Sequence, residues 1–166
     1  MALVLHQMLK VALGLLAAGL LITLVGSNTD YWFVGSGVHY GLWNICSALT
    51  CVDLASVVSP VPGHVHFARI VCIASALCSV VALVMLLLFG NKAQRKTYLN
   101  VAYGLALLAG IFCLVAVATY AVKEVGGSIK LAWSAGLVVW GGLLLIASSI
   151  CIIVPVTRGL IQFTEM

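Results

Sequence analysis

Four long apolar stretches constrain this chain more than any other feature of its sequence. They occupy about residues 8–26, 70–89, 101–122 and 131–154, with the uninterrupted part of the first beginning at Val11. Residues 11–26 and the other three stretches contain no Asp, Glu, Lys, Arg or His. A helix crosses the hydrocarbon part of a bilayer with roughly 20 apolar residues, and a central charge would cost about +2.5 to +3.5 kcal/mol. The sequence therefore predicts four transmembrane helices.

Composition supports the same conclusion. The chain has 166 residues, of which 64% are apolar and 7% charged, whereas soluble domains have about 45–50% and about 25%. The net charge of +4 is spread over five polar segments, which argues against a nucleic-acid partner, since such proteins concentrate basic residues on one face. Ionisable residues inside the spans, the usual sign of intramembrane catalysis, are missing. We expect one non-catalytic tetraspan domain over residues 1–166, in contact with the lipid bilayer.

Charge predicts which side each loop faces. The basic residues of the 91–98 loop and of the two chain ends are Lys10, Lys92, Arg95, Lys96 and Arg158. By the positive-inside rule, both termini and that loop are cytosolic, and the loops 27–69 and 123–130 are extracellular. The first stretch is longer than a signal-peptide core, so we interpret it as an uncleaved signal anchor.

Small residues recur at every fourth position in two spans, at Ala74, Cys78 and Ala82 and at Ala102, Ala106 and Gly110. Such stripes allow helix backbones to approach closely in a membrane. We interpret both as helix–helix seams within the monomer, with a homo-oligomer interface as the alternative.

The 27–69 loop has strand and turn signals. Residues 31–34 and 39–43 are rich in aromatic and β-branched side chains, and Gly35-Ser36-Gly37 lies between them. This pattern predicts two short strands joined by a turn. Cys46 and Cys51 lie on the oxidising side and predict a disulfide, because a redox pair would need a C-x-x-C spacing.

The remaining cysteines and the histidines give weaker signals. Cys72, Cys78, Cys113 and Cys151 fall within spans and are expected to act as small apolar side chains; S-palmitoylation of Cys151 is an alternative. His64 and His66 would share a face if they were in a strand, and with His39 they could bind Zn²⁺. No further ligand is clearly placed to complete that site, so we predict neither a metal nor a cofactor.

Several of these residues together resemble a known pattern. The sequence resembles the W…G-L-W-x-x-C…C signature of the claudin, peripheral myelin, epithelial membrane and lens fibre membrane intrinsic protein superfamily. The matching residues are Trp32, Gly41-Leu42-Trp43, Cys46 and Cys51. Arg69 stands where that family has an Arg at the start of its second span. Segments 108–120 and 133–140 are also similar. The short cysteine spacing is closest to the lens fibre and natural-killer-cell granule branch, and it departs from barrier-forming claudins.

The resemblance implies an all-α membrane bundle of four transmembrane helices with a small extracellular β-sheet. It places Trp32 and Trp43 at the base of the sheet. It also implies that Arg69 pairs with Asp30 or Asp53 and clamps the loop to the bundle, although a snorkelling Arg69 is the alternative.

The function that the resemblance implies is non-catalytic, in cell–cell contact, junctions or membrane organisation. The protein would bind itself in cis or trans, or other membrane proteins, at the plasma membrane or in a granule or vesicle membrane. An auxiliary or trafficking subunit of a channel, receptor or granule component is the alternative.

The expected contact positions in the loop are Val34, Val38, Leu49 and Val57. Thr164–Met166 forms a weak candidate ligand for a PDZ domain.

Overall fold

The computed structural model describes residues 2–35, 37–47, 50–91, 96–124 and 130–158. The helices are α1 (Ala2–Asn28), α2 (Leu54–Val57), α3 (Gly63–Asn91), α4 (Lys96–Glu124) and α5 (Trp133–Thr157). The strands are β1 (Phe33–Gly35), β2 (Val38–Tyr40), β3 (Asn44–Cys46), β4 (Cys51–Asp53) and β5 (Lys130–Leu131). Several predicted features lie outside the described residues: Ser36, Leu49, Thr164–Met166, and residues 92–95 and 125–129 of the predicted loops.

The four long helices confirm the predicted tetraspan architecture. Each contains a segment long and apolar enough to cross a bilayer: Gln7–Asn28, Gly63–Gly90, Lys96–Val122 and Trp133–Thr157. Most helix ends lie outside the predicted spans, because apolar composition marks only the part in hydrocarbon. The N-terminus of α5 is the exception, since residues 130–131 form β5.

The four helices form a ring in which α1 packs against α3 and α5, and α4 packs against the same two helices. The ring buries small side chains, including Ala12, Ala106, Ala109 and Ala135, each 0% exposed. It exposes large ones, including Leu21, Ile70, Leu77 and Trp140, at 63–65%. Lipid gives no hydrophobic reason to hide large apolar groups, so close backbone packing determines which residues face inward.

The stripe in the third span is a seam within the monomer, as expected. Ala102 and Ala106 are fully buried. A Cβ added at Gly110 would lie 2.7 Å from Gly142 O and 2.6 Å from Ile146 Cγ1 of α5. The stripe in the second span is only partly a seam: Ala82 is buried, but Ala74 and Cys78 are half-buried.

Buried hydroxyl groups link the helices across these seams. Ser75 Oγ in α3 donates to Ala109 O in α4 at 2.9 Å. Ser148 Oγ in α5 donates to Ala12 O in α1 at 2.8 Å. Such bonds stabilise helix association in membranes by about 0.6 kcal/mol on average.

The strands form one antiparallel sheet in the order β4-β3-β2-β1-β5. The predicted hairpin is present, with Val34 opposite His39 and with Gly37 in the turn at a φ of 79°. The second strand was predicted over residues 39–43 but ends at Tyr40. The reason is that the Gly41 N–H donates to Asn44 O at 2.9 Å, which reverses the chain into β3.

The sheet lies at the end of the bundle where α1 and α4 finish and where α3 and α5 begin. Pairing of β5 with β1 brings residues 130–131 to the same end as the long connection from α1 to α3. We call residues 29–62 together with β5 the sheet cap. The long connection ends at Pro62 rather than at residue 69, so His64, His66 and Arg69 belong to α3.

Candidate functional site

The sheet cap is tied to the last turn of α1 by two indole groups. The final carbonyl groups of a helix have no partner within it. Trp32 Nε1 donates to Gly26 O at 2.9 Å, and Trp43 Nε1 donates to Ser27 O at 3.1 Å. Both tryptophans therefore lie at the base of the sheet and satisfy carbonyl groups at the end of α1.

Tyr120 connects the cap to α4. Its ring stacks on Phe33, with centroids 5.0 Å apart and an interplanar angle of 18°, and it lies 5.4 Å from the ring of Trp32. Its hydroxyl donates to Gly41 O at 3.4 Å. This role of Tyr120 is not evident from the sequence, because a Tyr near the end of an apolar span is equally typical of the membrane interface.

The Gly41-Leu42 pair explains the tight turn between β2 and β3. A Cβ at Gly41 would lie 2.8 Å from Asp30 Cα, so a larger residue would displace the backbone after α1. Leu42 is 0% exposed and anchors the turn in the core. Asn44 Nδ2 donates to Asp30 Oδ1 at 3.2 Å, which holds the other side of the turn.

Arg69 clamps the cap to α3, but the predicted pairing with an aspartate is wrong. Arg69 Nε donates to Leu42 O at 2.7 Å, and the guanidinium carbon lies 5.0 Å from the ring centroid of Trp43. Asp30 accepts from Asn44, and Asp53 accepts from the Ala55 N–H at 2.8 Å as the N-cap of α2. A backbone carbonyl and an aromatic face therefore replace the expected carboxylate.

Cys46 and Cys51 form a disulfide, in agreement with the sequence prediction, and they close the β3–β4 hairpin. The residue pairs 43/54 and 47/50 are joined by backbone hydrogen bonds. Alternation along an antiparallel ladder makes 46/51 a non-hydrogen-bonded pair, where Cα atoms are close, about 4.5 Å apart. The observed Cα separation is 4.0 Å. The bridge thus joins a pair of facing residues of the type whose Cα atoms are closest in an antiparallel ladder.

The condition under which His64 and His66 would share a face, a strand at residues 64–66, is not met. His64 and His66 lie in α3 rather than in a strand, and residues two apart on a helix point about 200° apart. His39 is in β2, with its ring centroid 4.3 Å from that of Tyr31. Within the described part of the chain, the one group of three ligand-type side chains close together is Asp30 with Cys46 and Cys51. Their sulfurs are bonded to each other, so this group offers no thiolate ligand.

The four other cysteines lie in α3, α4 and α5, as expected. Cys72 and Cys113 are buried, whereas Cys78 and Cys151 are half-buried. Cys113 Sγ lies 3.1 Å from Ser75 Oγ, in a seam lined by small side chains. Palmitoylation of Cys151 stays an untested alternative.

An apolar cavity of about 120 Å³ lies between the cap and the helices, lined in part by Phe33, Tyr40, Ile45 and Tyr120. Among the described residues, no charged side chain lines it. The Tyr120 hydroxyl at its wall donates to Gly41 O and so helps to hold the cap in place. What this arrangement provides is a fixed surface above the membrane-spanning helices.

That surface carries apolar side chains at both edges of the sheet. Val52 of β4 is 43% exposed and Val57 of α2 is 59% exposed, while Leu131 of β5 is 48% exposed. The predicted contact positions Val34 and Val38 are instead half-buried within the hairpin. Val57 is the member of the predicted set that the structure shows to be exposed.

The four apolar helices under this cap define an integral, multi-pass membrane protein of the tetraspan class. No protein-family model matches the sequence, and no curated protein matches it either.

Proposed function

We propose that this tetraspan protein belongs to the claudin-like superfamily and acts, without catalysis, in cell–cell contact, junctions or membrane organisation. The support is that Trp32, Gly41-Leu42-Trp43 and the Cys46–Cys51 bridge lie in one cap, to which Arg69 of α3 is bonded, although these residues span 38 positions of sequence. Each has a contact that its residue type explains.

The cap is proposed to face the extracellular space, or the lumen of a granule or vesicle. Lys10, Lys96 and Arg158 stand at the opposite end of the bundle from the sheet, and an excess of Lys and Arg favours the cytosolic side. A disulfide in the cap also fits an oxidising compartment. The plasma membrane is the proposed location in which contact between cells would occur.

One observation carries the contact function: the apolar edge of the cap formed by β4 and α2. β4 ends the sheet, and all three of its residues are exposed. Val52 and Val57 add apolar surface at this edge, 43% and 59% exposed. Exposed edges of this kind pair readily with another chain. We call Val52, Val57 and strand β4 the contact edge.

The experiment measures whether the protein accumulates at contacts between two expressing cells. A Val52→Ser, Val57→Ser double variant should reach the surface with its disulfide intact and lose enrichment at contacts. Leu131→Ser is the matched control, because Leu131 is equally exposed at the opposite edge of the same sheet. Retained enrichment in the double variant would count against the contact function.

The auxiliary-subunit alternative predicts that the spans rather than the cap bind the partner. Gly104 of α4 is exposed, with nothing within 4 Å of a Cβ built there. A Gly104→Leu variant should lose a dominant co-purifying membrane partner only under this alternative. Gly110→Leu is unsuitable for this test, because Gly110 packs against α5 of the same chain.

A further inference from the structure

We propose that Arg69 forms, with Trp43, a binding site for the phosphate group of a membrane phospholipid, at the sheet-side boundary of the bilayer. This inference does not depend on the contact function. It rests on the depth of Arg69, on its unpaired nitrogen and on the surface that surrounds it.

The depth of Arg69 follows from the length of α3. Residues 70–89 are an uncharged run immediately after Arg69. Twenty residues at a rise of 1.5 Å span about 30 Å, which is the thickness of the hydrocarbon core. Arg69 therefore stands where the hydrocarbon ends and the headgroups begin. Tyr31 and Trp133, 38% and 54% exposed, provide aromatic groups at the same end of the bundle, as is typical of an interface.

The protein provides hydrogen-bond acceptors for only some of the N–H groups of this guanidinium. Nε donates to Leu42 O, but Nη2 is buried and has no hydrogen-bond partner. Nη1 makes no hydrogen bond among the described residues and is not buried. Asp30 and Asp53, the two carboxylates whose side chains the structure describes, are engaged elsewhere. Leaving a charged donor unpaired in a shielded position is costly, so this group favours an added anion.

Arg69 lies at the border between the buried and the lipid-facing sides of α3. Val65 and Cys72 on one side of it are buried, whereas His66 and Ile73 on the other side are exposed. Trp43, over whose ring the guanidinium lies, is bonded to Ser27 O at the end of α1. The guanidinium is thus held between α1 and α3, with Nη1 as its accessible nitrogen.

A phosphodiester fits this position by charge and geometry. Arginine binds phosphate through paired N–H groups, and such charge-assisted bonds are about twice as strong as neutral ones. One phosphate oxygen would accept from Nη1, and the negative charge of the phosphate would stabilise the whole guanidinium, including the buried Nη2. The acyl chains would then lie along the apolar surface around Ile70 and Ile73.

The test uses the full-length protein purified in a maltoside detergent, with bound lipid counted by native mass spectrometry. The probes are dioctanoyl phosphatidylcholine, dioctanoylglycerol and inorganic phosphate. Wild-type protein should retain one phosphatidylcholine with about tenfold preference over dioctanoylglycerol, as expected for one charge-assisted contact. Inorganic phosphate should compete weakly. Equal retention of both lipids would overturn the proposal, and full displacement by inorganic phosphate would show a free-phosphate site instead.

Variants locate the site. Arg69→Gln should abolish the preference for phosphatidylcholine, and Arg69→Lys should weaken it, because lysine keeps the charge but lacks the paired donors. Lys10→Gln, at the opposite end of the bundle, should retain the preference. If Arg69→Gln fails to fold by circular dichroism, Arg69→Lys decides, and an unchanged preference in that folded variant would refute the assignment.

Discussion

At the end of α1, two tryptophan side chains attach the cap to the helix, each through a single indole N–H. The Trp32 ring is buried and the Trp43 ring is half-buried, and each donates one N–H to a carbonyl of the last helical turn. Phenylalanine could fill much of the same volume but could not donate. The residue type therefore follows from the need for an apolar group with one donor at a helix end.

Trp32→Phe should destabilise the protein by about 1–3 kcal/mol, because it removes a buried hydrogen bond and leaves space around a smaller ring. Trp43→Phe should have a smaller effect, since Trp43 is only half-buried and water can replace its donor. Thermal unfolding in detergent measures both. Trp140→Phe is the control, because Trp140 faces lipid at 65% exposure and should change the midpoint little. A larger shift for Trp140 than for Trp32 would contradict this account.

Among the elements, the β3–β4 hairpin combines a short strand pair with a covalent bridge. A two-stranded hairpin is only marginally stable on its own. The disulfide closes a short loop and should contribute roughly 2 kcal/mol by the loop-entropy relation. The bridge therefore matters most for the outermost strand, β4, which carries the contact edge.

Cys46→Ser and Cys51→Ser should cause the same loss of surface export, and the double variant should be no worse than the more severe single variant. Each single change already removes the whole crosslink, so the two effects cannot add. Surface biotinylation of the three variants measures the effect. Clear additivity would falsify the pairing in cells.

The α4–α5 seam permits a similar test within the membrane. Gly110→Ala should destabilise the bundle by about 1–3 kcal/mol, because the new methyl group would crowd Gly142 O and Ile146. Gly104→Ala adds the same group on an open helix face and should leave stability unchanged or raise it by up to about 1 kcal/mol. Unfolding midpoints of the two variants, compared in one detergent, test the difference. Equal destabilisation would argue against the close helix approach.

For the whole molecule, the sheet cap lies at one end of the bundle, and the start of α1 and the end of α5 lie at the other. An epitope inserted after Gly37, in the turn between β1 and β2, should be accessible to antibody in intact cells. An epitope after Met166 should become accessible only after permeabilisation, because four crossings place both termini on one side, which we propose to be the cytosolic side. Labelling of the C-terminal epitope in intact cells would exclude this topology.

Much of this architecture could be predicted because its signals are local. The length of the apolar stretches predicted the four spans, and Gly35–Gly37 predicted the first hairpin. The cysteine pair, only a few residues apart, predicted the bridge. Each of these signals lies within one continuous segment, where backbone geometry or transfer into lipid determines the outcome.

The sequence by itself thus determined the membrane class, the hairpin and the bridge, whereas tertiary structure decided the partners of the cap. Nothing near Arg69 in sequence indicates that its Nε donates to Leu42 O, 27 residues earlier, rather than to an aspartate. Nor does the sequence show that Tyr120 stacks under Phe33, or that residues 130–131 add a strand beside β1. These choices depend on which groups the packed helices bring together, and a buried polar atom pairs with the nearest suitable partner in space, not in sequence.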